Sequence, residues 1–400
     1  MKKIHLILLS DQQIPNLLST LHFKPDVLAM VESSRMKKKK KADYLIEALK
    51  IVNNDFNSNS CKPYSIEQVD DIDSVKQVLT KCYEEIGTGQ WTVNLTGGNK
   101  LLSFSTYDFF KNKTNAKMLY TEVERSNEGI WLHKEKPITY IHQLKIKEFL
   151  TSYGYKILTP QKAIDRSKKI AEDNCQLAIE FAKNIDYQPF LKDLKTYRQS
   201  LPNVEEAREN GAKYPIDIEF KSPIIQKTME IFAPLKDKLP KKQVKFLTGE
   251  WLEIFCYNAI KNISGVTDAA IGLNIEDNEG SKNEFDVVFI RNNSFYFIEC
   301  KTGLPIKKNP NNESKSFESS IGESMNGILY KIEAIVGSMK ALKNNPICAI
   351  SSSDIYKEGK IKDSIQTRAK SYNCKIWDKN ELLNIAQGRK SIEELLNERP

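Results

Sequence analysis

Two short apolar segments of the chain carry acidic side chains and a lysine at a spacing suited to metal-dependent hydrolysis. Segments 284–290 and 295–301 are predicted β-strands, and the four polar residues between them predict a hairpin turn. Pairing the end of the first strand with the start of the second places Asp286 opposite Glu299. Lys301 is two residues beyond Glu299, so both side chains point to one face of the sheet. The hairpin therefore brings two carboxylates and an ammonium group together.

This arrangement is unfavourable for stability alone, because like charges opposite each other in a sheet repel. A divalent cation between Asp286 and Glu299 would remove the repulsion, and carboxylate oxygens suit Mg²⁺ or Mn²⁺. Such an ion polarises a phosphodiester and activates water. Lys301 would orient that water and offset the charge that develops on the phosphate. The alternative is a solvated hairpin face, but the strongly apolar residues around these side chains favour a covered, catalytic sheet.

A predicted helix upstream of the hairpin supplies further acids. Residues 249–260 have the apolar spacing of an amphipathic helix, and Glu250 and Glu253 are three positions apart on one side of it. The four histidines of the chain are His5, His22, His133 and His142. Their absence beyond residue 142 excludes a Ser-His-Asp triad, an HNH-type nuclease and a His-rich metal centre built within the C-terminal half. Hydrolysis by carboxylates, a metal ion and a lysine needs no histidine.

A helix acid, a strand Asp and a Glu-x-Lys strand in this order resemble the PD-(D/E)xK nuclease superfamily over residues 245–380. By that resemblance the catalytic residues are Glu253, Asp286, Glu299 and Lys301, of which the three acids bind the metal. Glu253 is preferred to Glu250 because family members often carry a glycine four residues before the acid, as Gly249 stands here. The later segment 329–334 looks like that of a subgroup fused to CRISPR-associated sensor domains.

A second candidate site lies near the N-terminus, where segment 96–100 follows a predicted strand and opens a predicted helix. Its residues are Thr96, Gly97, Gly98, Asn99 and Lys100. Glycines allow close backbone approach, and a helix N-terminus offers free N–H groups to a phosphate. The segment matches neither the Walker A nor the G-x-G-x-x-G pattern, and a tight turn without a ligand is the alternative. The first strand ends at the same sheet edge in three polar residues, Ser10, Asp11 and Gln12.

The topology and the two loops of residues 1–125 resemble a CARF domain, the sensor of cyclic oligoadenylates in type III CRISPR immunity. By that resemblance, both loops line the ligand site. CARF domains form dimers that bind a cyclic ligand across a two-fold axis, and a symmetric ring fits such an isologous dimer. The resemblance therefore implies a homodimer with a cyclic oligoadenylate, most simply the tetra-adenylate, as its allosteric activator.

The elements that must position these residues divide the chain into two α/β units. Residues 1–125 are predicted to form a doubly wound parallel sheet, residues 126–244 a partly helical connector, and residues 245–400 the nuclease domain. The predicted N-terminal strands are 4–9, 26–31, 64–69, 91–95 and 117–123. The predicted helices between them are 14–21, 42–52, 72–86 and 101–110. The basic run 35–41 is predicted to be a solvated, mobile loop.

Composition agrees with an ordinary globular protein. The chain has 400 residues, of which 40% are hydrophobic and 28% are charged, and this excludes bulk disorder. The net charge of +8 is compatible with anionic ligands. Seven cysteines without a C-x-x-C pair predict reduced thiols in a cytoplasmic protein rather than zinc or disulfides. No segment has the length of a membrane span, so a membrane partner is not expected.

These observations predict a metal-dependent endonuclease of type III CRISPR antiviral defence that cyclic tetra-adenylate activates and that hydrolyses phosphodiester bonds in DNA and/or RNA. Two alternatives remain. A constitutive restriction- or repair-type DNA endonuclease would cleave without the ligand. A non-enzymatic nucleotide-binding regulator would carry a degenerate nuclease domain, and the complete set of acids and lysine counts against it.

Overall fold

The described residues of the computed structural model contain two large β-sheets and two small two-stranded sheets, and a group of helices lies between the two large sheets in sequence. It describes residues 1–54, 56–122, 127–132, 136–201, 213–216, 218–233, 238–302, 325–339, 345–352 and 355–397. Among these residues, no helix is both long enough and apolar enough to cross a lipid bilayer. All seven cysteines are free thiols, as the sequence predicts.

The first sheet contains the N-terminal strands. They are β1 (Lys3–Leu8), β2 (Val27–Ser33), β3 (Cys61–Ile66), β4 (Gln90–Asn94), β5 (Ala116–Thr121), β6 (Glu128–Trp131) and β7 (Ile138–Thr139). Their order is β3-β2-β1-β4-β5-β6-β7, and the first five are parallel. The predicted doubly wound sheet is confirmed. The prediction that segment 117–123 is its last strand is wrong, because β6 and β7 extend it in antiparallel pairs.

Helices cover both faces of this sheet, as parallel strands with crossover connections require. The two faces carry α1 (Ile14–Phe23) with α3 (Lys41–Val52), and α4 (Ile72–Ile86) with α5 (Lys100–Phe110). The basic run is not a mobile loop, because most of it forms the short helix α2 (Ser34–Lys38). The Ser33 hydroxyl caps that helix by accepting a hydrogen bond from the Met36 amide at 3.2 Å, and Met36 itself is buried.

The described residues of the connecting region, which the sequence predicts to be partly helical, include six helices. Its helices are α6 (Ile146–Tyr153), α7 (Gln161–Asp173), α8 (Cys175–Lys183), α9 (Gln188–Ser200), α10 (Pro223–Phe232) and α11 (Lys241–Lys245). Helix α6 ends at Gly154, whose φ of 92° lies in the left-handed region that glycine adopts freely. The sequence predicts a single helix over residues 164–185, but the segment forms two helices separated at Asn174. A two-stranded sheet joins β9 (Lys213–Pro215) to β10 (Lys238–Pro240).

The second sheet carries the predicted hairpin at its centre. Its strands are β8 (Lys156–Ile157), β11 (Val266–Glu276), β12 (Lys282–Arg291), β13 (Ser294–Lys301), β14 (Asn345–Ile350) and β17 (Lys375–Trp377), in the order β17-β14-β13-β12-β11-β8. The other elements are α12 (Trp251–Ile260), α13 (Met325–Ser338), β15 (Tyr356–Lys357), β16 (Lys360–Ile361), α14 (Asp363–Ser371), α15 (Lys379–Ala386) and α16 (Ile392–Asn397). The sequence predicts one helix over residues 323–342, and both ends of that segment, 323–324 and 340–342, lie outside the described residues.

One hydrophobic core spans both sheets. It joins residues of β1, α1 and α3 to α6, to one face of the β12–β13 hairpin and to α13. Phe149 of α6 stacks on Phe295 of β13, with ring centroids 5.8 Å apart. At the hairpin turn, the buried Asn293 side chain accepts a hydrogen bond from the Leu144 amide at 2.7 Å and donates one to the His142 carbonyl at 3.0 Å. The hairpin is thus anchored directly to the segment that leads into α6.

His5 is buried in the first sheet and is held neutral. One ring nitrogen lies 2.9 Å from the Thr92 carbonyl oxygen and the other lies 3.0 Å from the Ser19 hydroxyl. Burial disfavours the charged imidazolium and lowers the pKa of His5 to about 4, from 6.5 in an unfolded chain. The unfolded state therefore binds the extra proton first as the pH falls. The free energy that favours folding with a neutral His5 is present in full above pH 6.5. It is lost as the pH falls from 6.5 towards 4.

We therefore expect His5 to make folding stability pH-dependent. Between pH 7 and pH 5, wild-type stability should fall by about 2 kcal/mol more than that of a His5→Gln variant, because only the wild type must exclude a proton. Urea unfolding of both proteins at pH 7 and at pH 5 measures how much stability each of them loses. Equal losses of stability in the two proteins would contradict a buried neutral imidazole.

Candidate functional site

The β12–β13 hairpin has the register that the sequence predicts. Ile290 lies opposite Phe295, and the pairing continues to Val287 opposite Ile298. The predicted four-residue turn is shorter in the structure, because the strands extend to a two-residue turn at Asn292–Asn293. Both asparagines have positive φ, 50° and 57°, and asparagine tolerates this conformation better than most residues. The next cross-strand position beyond this ladder is that of Asp286 and Glu299.

Three of the predicted catalytic side chains meet at that position. The Nζ atom of Lys301 lies 2.8 Å from Oε1 of Glu299 and 3.8 Å from Oδ2 of Asp286. The same Asp286 oxygen accepts a hydrogen bond from the Cys300 amide at 2.7 Å, which fixes the carboxylate against β13. The Cys300 side chain is buried among core residues. The cluster therefore lies over the paired strands, with its lysine only partly exposed to solvent.

Glu253 lies in the first turn of α12 and joins this cluster electrostatically. Burial raises its pKa well above the usual value, and the negative charges of Asp286 and Glu250 raise it further. Glu250 has a cation of its own, because its carboxylate lies 3.5 Å from the Lys245 ammonium. Of the two helix acids, Glu253 is the one whose charge is coupled to Asp286, which agrees with the sequence preference.

Burial and crowding of negative charge also shift the other groups. Burial raises the pKa of Asp286 to about 6, and the adjacent Glu299 carboxylate contributes to the same shift. Burial alone would lower the pKa of Lys301, but Glu299 and Asp286 outweigh it and raise that pKa above its usual value. Both pKa values are raised, so Lys301 retains its charge while Asp286 is ready to exchange a proton, and perturbed pKa values of this kind are typical of functional sites.

Sequence reasoning missed a second lysine at this site. Lys331 of α13 places its Nζ atom 2.8 Å from Oε1 of Glu299, the same oxygen that Lys301 contacts. The segment 329–334 was singled out only as part of a resemblance, and no sequence signal tied this lysine to Glu299, which lies 32 residues earlier in the chain. The contact depends on how α13 packs against the sheet.

The donor atoms of the cluster fit a hard divalent cation. Oxygen Oε2 of Glu299 is buried and has no hydrogen-bond partner, although a buried carboxylate oxygen is costly to leave unpaired. Carboxylates of Glu253, Asp286 and Glu299 are the ligand type that Mg²⁺ and Mn²⁺ prefer. Across the described residues, no three acidic, histidine or cysteine side chains are already grouped as a metal site. Instead, two lysine ammonium groups balance Glu299 in this arrangement.

The second candidate site forms at the carboxyl end of β1 and β4. The 96–100 loop packs so closely on β1 that a Cβ atom at Gly97 would clash with the Leu8 carbonyl oxygen. Gly98 has a φ of 76°, in the left-handed region. Asn99 caps α5 by accepting a hydrogen bond from the Leu102 amide at 2.7 Å. The loop is therefore shaped first by packing and capping, and Lys100 is exposed at its end.

The loop after β1 lies beside a cation cluster. The Asp11 carboxylate contacts the Lys39 ammonium at 2.7 Å and the Arg35 guanidinium at 3.2 Å. Partial burial alone would raise the pKa of Asp11, but these cations hold it below its usual value. The Ser10 hydroxyl accepts a hydrogen bond from the Gln12 amide at 3.2 Å, so the loop is a tight local turn. Two cations of the basic run, Arg35 and Lys39, thus lie at this predicted site, although their side chains remain exposed to solvent.

A buried polar network that the sequence did not predict supports the 96–100 loop. Asn94, at the end of β4, accepts hydrogen bonds from the Thr96 amide at 3.1 Å and the Thr96 hydroxyl at 2.6 Å. Its own amide group donates to Asn16 and Ser19 of α1. The Thr96 hydroxyl also accepts from the Thr121 amide at 2.7 Å. The network fixes where the loop leaves β4, and it occupies Thr96 with internal contacts.

Family models match the two parts of the chain that contain the candidate sites. Residues 4–149 match the Card1 CARF domain, and residues 240–394 match the Card1-like endonuclease domain. The chain carries a CARF domain and an endonuclease domain. The CARF match includes both N-terminal loops, and the endonuclease match includes Glu253, Asp286, Glu299 and Lys301. The C-terminal part of the chain is thus an endonuclease domain, and the recognition of a CARF domain followed by a nuclease domain from sequence is confirmed.

Solved structures share this fold over nearly the whole chain. Can2 from Sulfobacillus thermosulfidooxidans, in complex with cyclic tetra-adenylate, has a TM-score of 0.70 and 16% identity, covering 99% of this chain and 98% of that one. Protein VC1899 from Vibrio cholerae has a TM-score of 0.73 and 14% identity, covering 96% of each chain. At these identities the likeness shows a common fold. A comparison with curated protein sequences gave no match.

Proposed function

We propose that the chain is a homodimeric, metal-dependent endonuclease of the PD-(D/E)xK type that cyclic tetra-adenylate activates. Its substrate would be DNA and/or RNA, and its setting the cytoplasmic antiviral defence of a type III CRISPR system. The observation that carries the proposal is the meeting of Asp286, Glu299 and Lys301 within an endonuclease domain, on a hairpin anchored to the CARF domain. The free cysteines agree with a reducing compartment.

The residues of the cluster would have different roles in phosphodiester hydrolysis. Asp286, Glu299 and Glu253 would hold a Mg²⁺ or Mn²⁺ ion, which supplies Lewis-acid activation of the phosphate and of water. Lys301 remains charged and lies beside two carboxylates, so it can orient the attacking water and neutralise negative charge that develops on the phosphate oxygens. The Cys300 amide keeps Asp286 in place. No histidine has a part in this scheme.

The proposed ligand site uses both N-terminal loops. Ser10, Asp11, Gln12 and the loop from Thr96 to Lys100 would face the cyclic ligand, with Gly97 and Gly98 allowing the backbone to approach it. The fold shared with Can2, which was solved in complex with cyclic tetra-adenylate, supports this assignment. Arg35 and Lys39 beside Asp11 supply positive charge for a ligand that carries several phosphates.

An apolar surface beside the same loop supports a dimer. Phe104 and Tyr107 lie on α5, one and two turns after the ligand loop, and 63% and 38% of their surfaces are exposed. Tyr120 and Ile130, a cross-strand pair on β5 and β6, are also exposed. Exposed aromatic side chains of this kind are typical of interaction surfaces. A two-fold axis at α5 would bring two copies of the ligand loop together.

The decisive experiment combines the ligand, the metal and both substrate classes. Purified protein is incubated with Mn²⁺ and either plasmid DNA or single-stranded RNA, with and without cyclic tetra-adenylate. Cleavage that requires the ligand is the expected result. Equal cleavage without it would favour the constitutive nuclease, and ligand binding without any cleavage would favour the non-enzymatic regulator. Failure of the ligand to bind would overturn the sensor assignment.

Metal binding should depend on pH through Asp286. Because the pKa of Asp286 is about 6, the group is protonated at lower pH, and a metal ion must displace that proton. For each proton released per ion, Mn²⁺ affinity should therefore fall about fivefold between pH 6 and pH 5 and about tenfold per pH unit at still lower pH. Isothermal titration in buffers of different ionisation enthalpy measures both quantities. Constant affinity between pH 5 and pH 6 would contradict binding at Asp286.

A further inference from the structure

Glu299 has an unusual set of neighbours. Its side chain is only 1% exposed, and both Lys301 and Lys331 place an ammonium nitrogen 2.8 Å from Oε1. Oxygen Oε2 is buried without a hydrogen-bond partner. A buried carboxylate needs compensating charge, and here two ammonium groups share one oxygen of Glu299, while Lys301 also lies near the Asp286 carboxylate. Glu299 would keep Lys301 as a counter-ion if Lys331 moved away.

Lys331 is the lysine that can leave. Lys301 stands on the same strand as Glu299 and also contacts Asp286, so two carboxylates hold it. Lys331 reaches the site from α13, its side chain is 50% exposed, and Glu299 is the acidic group it contacts. The buried Leu329 and Ile332 keep that helix packed on the core while the lysine side chain extends along the solvent-facing side.

The surroundings of Lys331 favour an anion. The next residue, Tyr330, is 48% exposed, and the Arg368 guanidinium of α14 lies 4.6 Å from the centre of its ring. A lysine, a guanidinium and an aromatic face on adjacent helices suit a polynucleotide, whose phosphates pair with cations and whose bases stack on rings. This surface adjoins the carboxylate cluster through the Lys331–Glu299 contact itself.

We propose that Lys331 is a displaceable counter-ion of Glu299 that transfers to a substrate phosphate when a divalent cation takes its place. In the metal-free protein it balances the buried carboxylate. When a divalent cation binds Glu299, repulsion between the two positive charges releases the ammonium group, which then pairs with a phosphate of the nucleic acid. The inference rests on the proposed metal-dependent cleavage and adds a residue that exchanges one anionic partner for another.

The test compares Lys331→Met, which keeps the length of the side chain without its charge, with the wild type. Titration calorimetry with Mn²⁺ alone, without nucleic acid, should show Mn²⁺ binding about threefold to tenfold more tightly, because no ammonium competes for Glu299. Cleavage should change in the opposite direction, with kcat/KM lower by about tenfold. The slope of log kcat/KM against log salt concentration should become shallower by the amount expected for the loss of about one phosphate contact. Lys370→Met, which removes an exposed lysine from α14, is the matched control and should change neither quantity.

A second variant separates charge from folding. Lys331→Arg keeps the positive charge, so it should bind Mn²⁺ like the wild type and retain most of the cleavage. Unchanged or weaker Mn²⁺ binding by Lys331→Met would overturn the counter-ion role, and tighter binding with unchanged cleavage would overturn the transfer to phosphate. A wild type that binds no Mn²⁺ would refute the proposed function, and this inference with it. If the wild type binds Mn²⁺ and cleaves, and both Lys331 variants behave like the wild type, only the role of Lys331 is refuted.

Discussion

Glu299→Gln and Lys301→Ala should each lower the rate of ligand-activated cleavage by at least about 100-fold. The Gln variant keeps the shape of the side chain but removes the charge that the metal and both lysines contact. The Ala variant removes the cation that lies between Asp286 and Glu299. Both losses act at the point where charge develops during hydrolysis, so the effect should appear in kcat. Single-turnover cleavage at saturating Mn²⁺ measures it.

Two controls separate lost chemistry from lost structure. Glu276→Gln removes a carboxylate that is 26% exposed at the end of β11 and should leave the cleavage rate unchanged. Both active-site variants should still bind cyclic tetra-adenylate with wild-type affinity, since the ligand loops lie in the other domain. Near-wild-type cleavage by either variant would remove that residue from the catalytic assignment, and the loss of ligand binding would point to a folding defect instead.

Gly97→Ala should destabilise the protein by about 3 kcal/mol and abolish binding of the cyclic ligand. A methyl group there would meet the Leu8 carbonyl oxygen and lie 2.7 Å from the carbonyl carbon, and neither backbone atom can rotate away. The loop must move off β1 to admit it, which disrupts the Asn94–Thr96 contacts that place the loop. Urea unfolding and calorimetric titration with cyclic tetra-adenylate measure the two effects.

The matched control is a glycine with open space around it. Gly337 lies inside α13, and a Cβ atom there would contact nothing within 4 Å. Gly337→Ala should therefore stabilise the protein by about 0.5 to 1 kcal/mol, because alanine loses less backbone entropy in a helix. If Gly97→Ala and Gly337→Ala behaved alike, close packing of the loop on β1 would not be the reason for glycine at position 97.

Local patterns were sufficient to predict the centre of the endonuclease domain. The register of the β12–β13 hairpin depends on a short turn and on two neighbouring apolar strands, both of which are visible in a sequence. Strand β11, the longest of the second sheet, was missed, because Asp268 and Gly272 interrupt the apolar pattern of residues 266–276. Asp268 instead accepts a hydrogen bond from the Ile146 amide at the start of α6, a contact between distant parts of the chain.

The same distinction holds for the sites. Asp286, Glu299 and Lys301 could be brought together by counting along two strands, because their geometry is fixed by the pleat. Lys331 and the cations around Asp11 could not, because each contact joins separate elements whose packing sets the distance. Asn94 was overlooked for a related reason. An asparagine at the end of a strand has no pattern of its own, and its role depends on the α1 residues that meet it.

The core that continues from the CARF domain into the hairpin constrains how such proteins can evolve. Phe285, Phe295 and Phe297 line the face that packs towards Phe149, so the aromatic surface of the endonuclease domain is complementary to one particular neighbour. A gene fusion that joined this hairpin to an unrelated sensor would leave that surface without a matching partner. Recombination should therefore transmit the sensor and the endonuclease as a single heritable unit that includes α6, and amino-acid changes on the two sides of Phe149 should accumulate in concert.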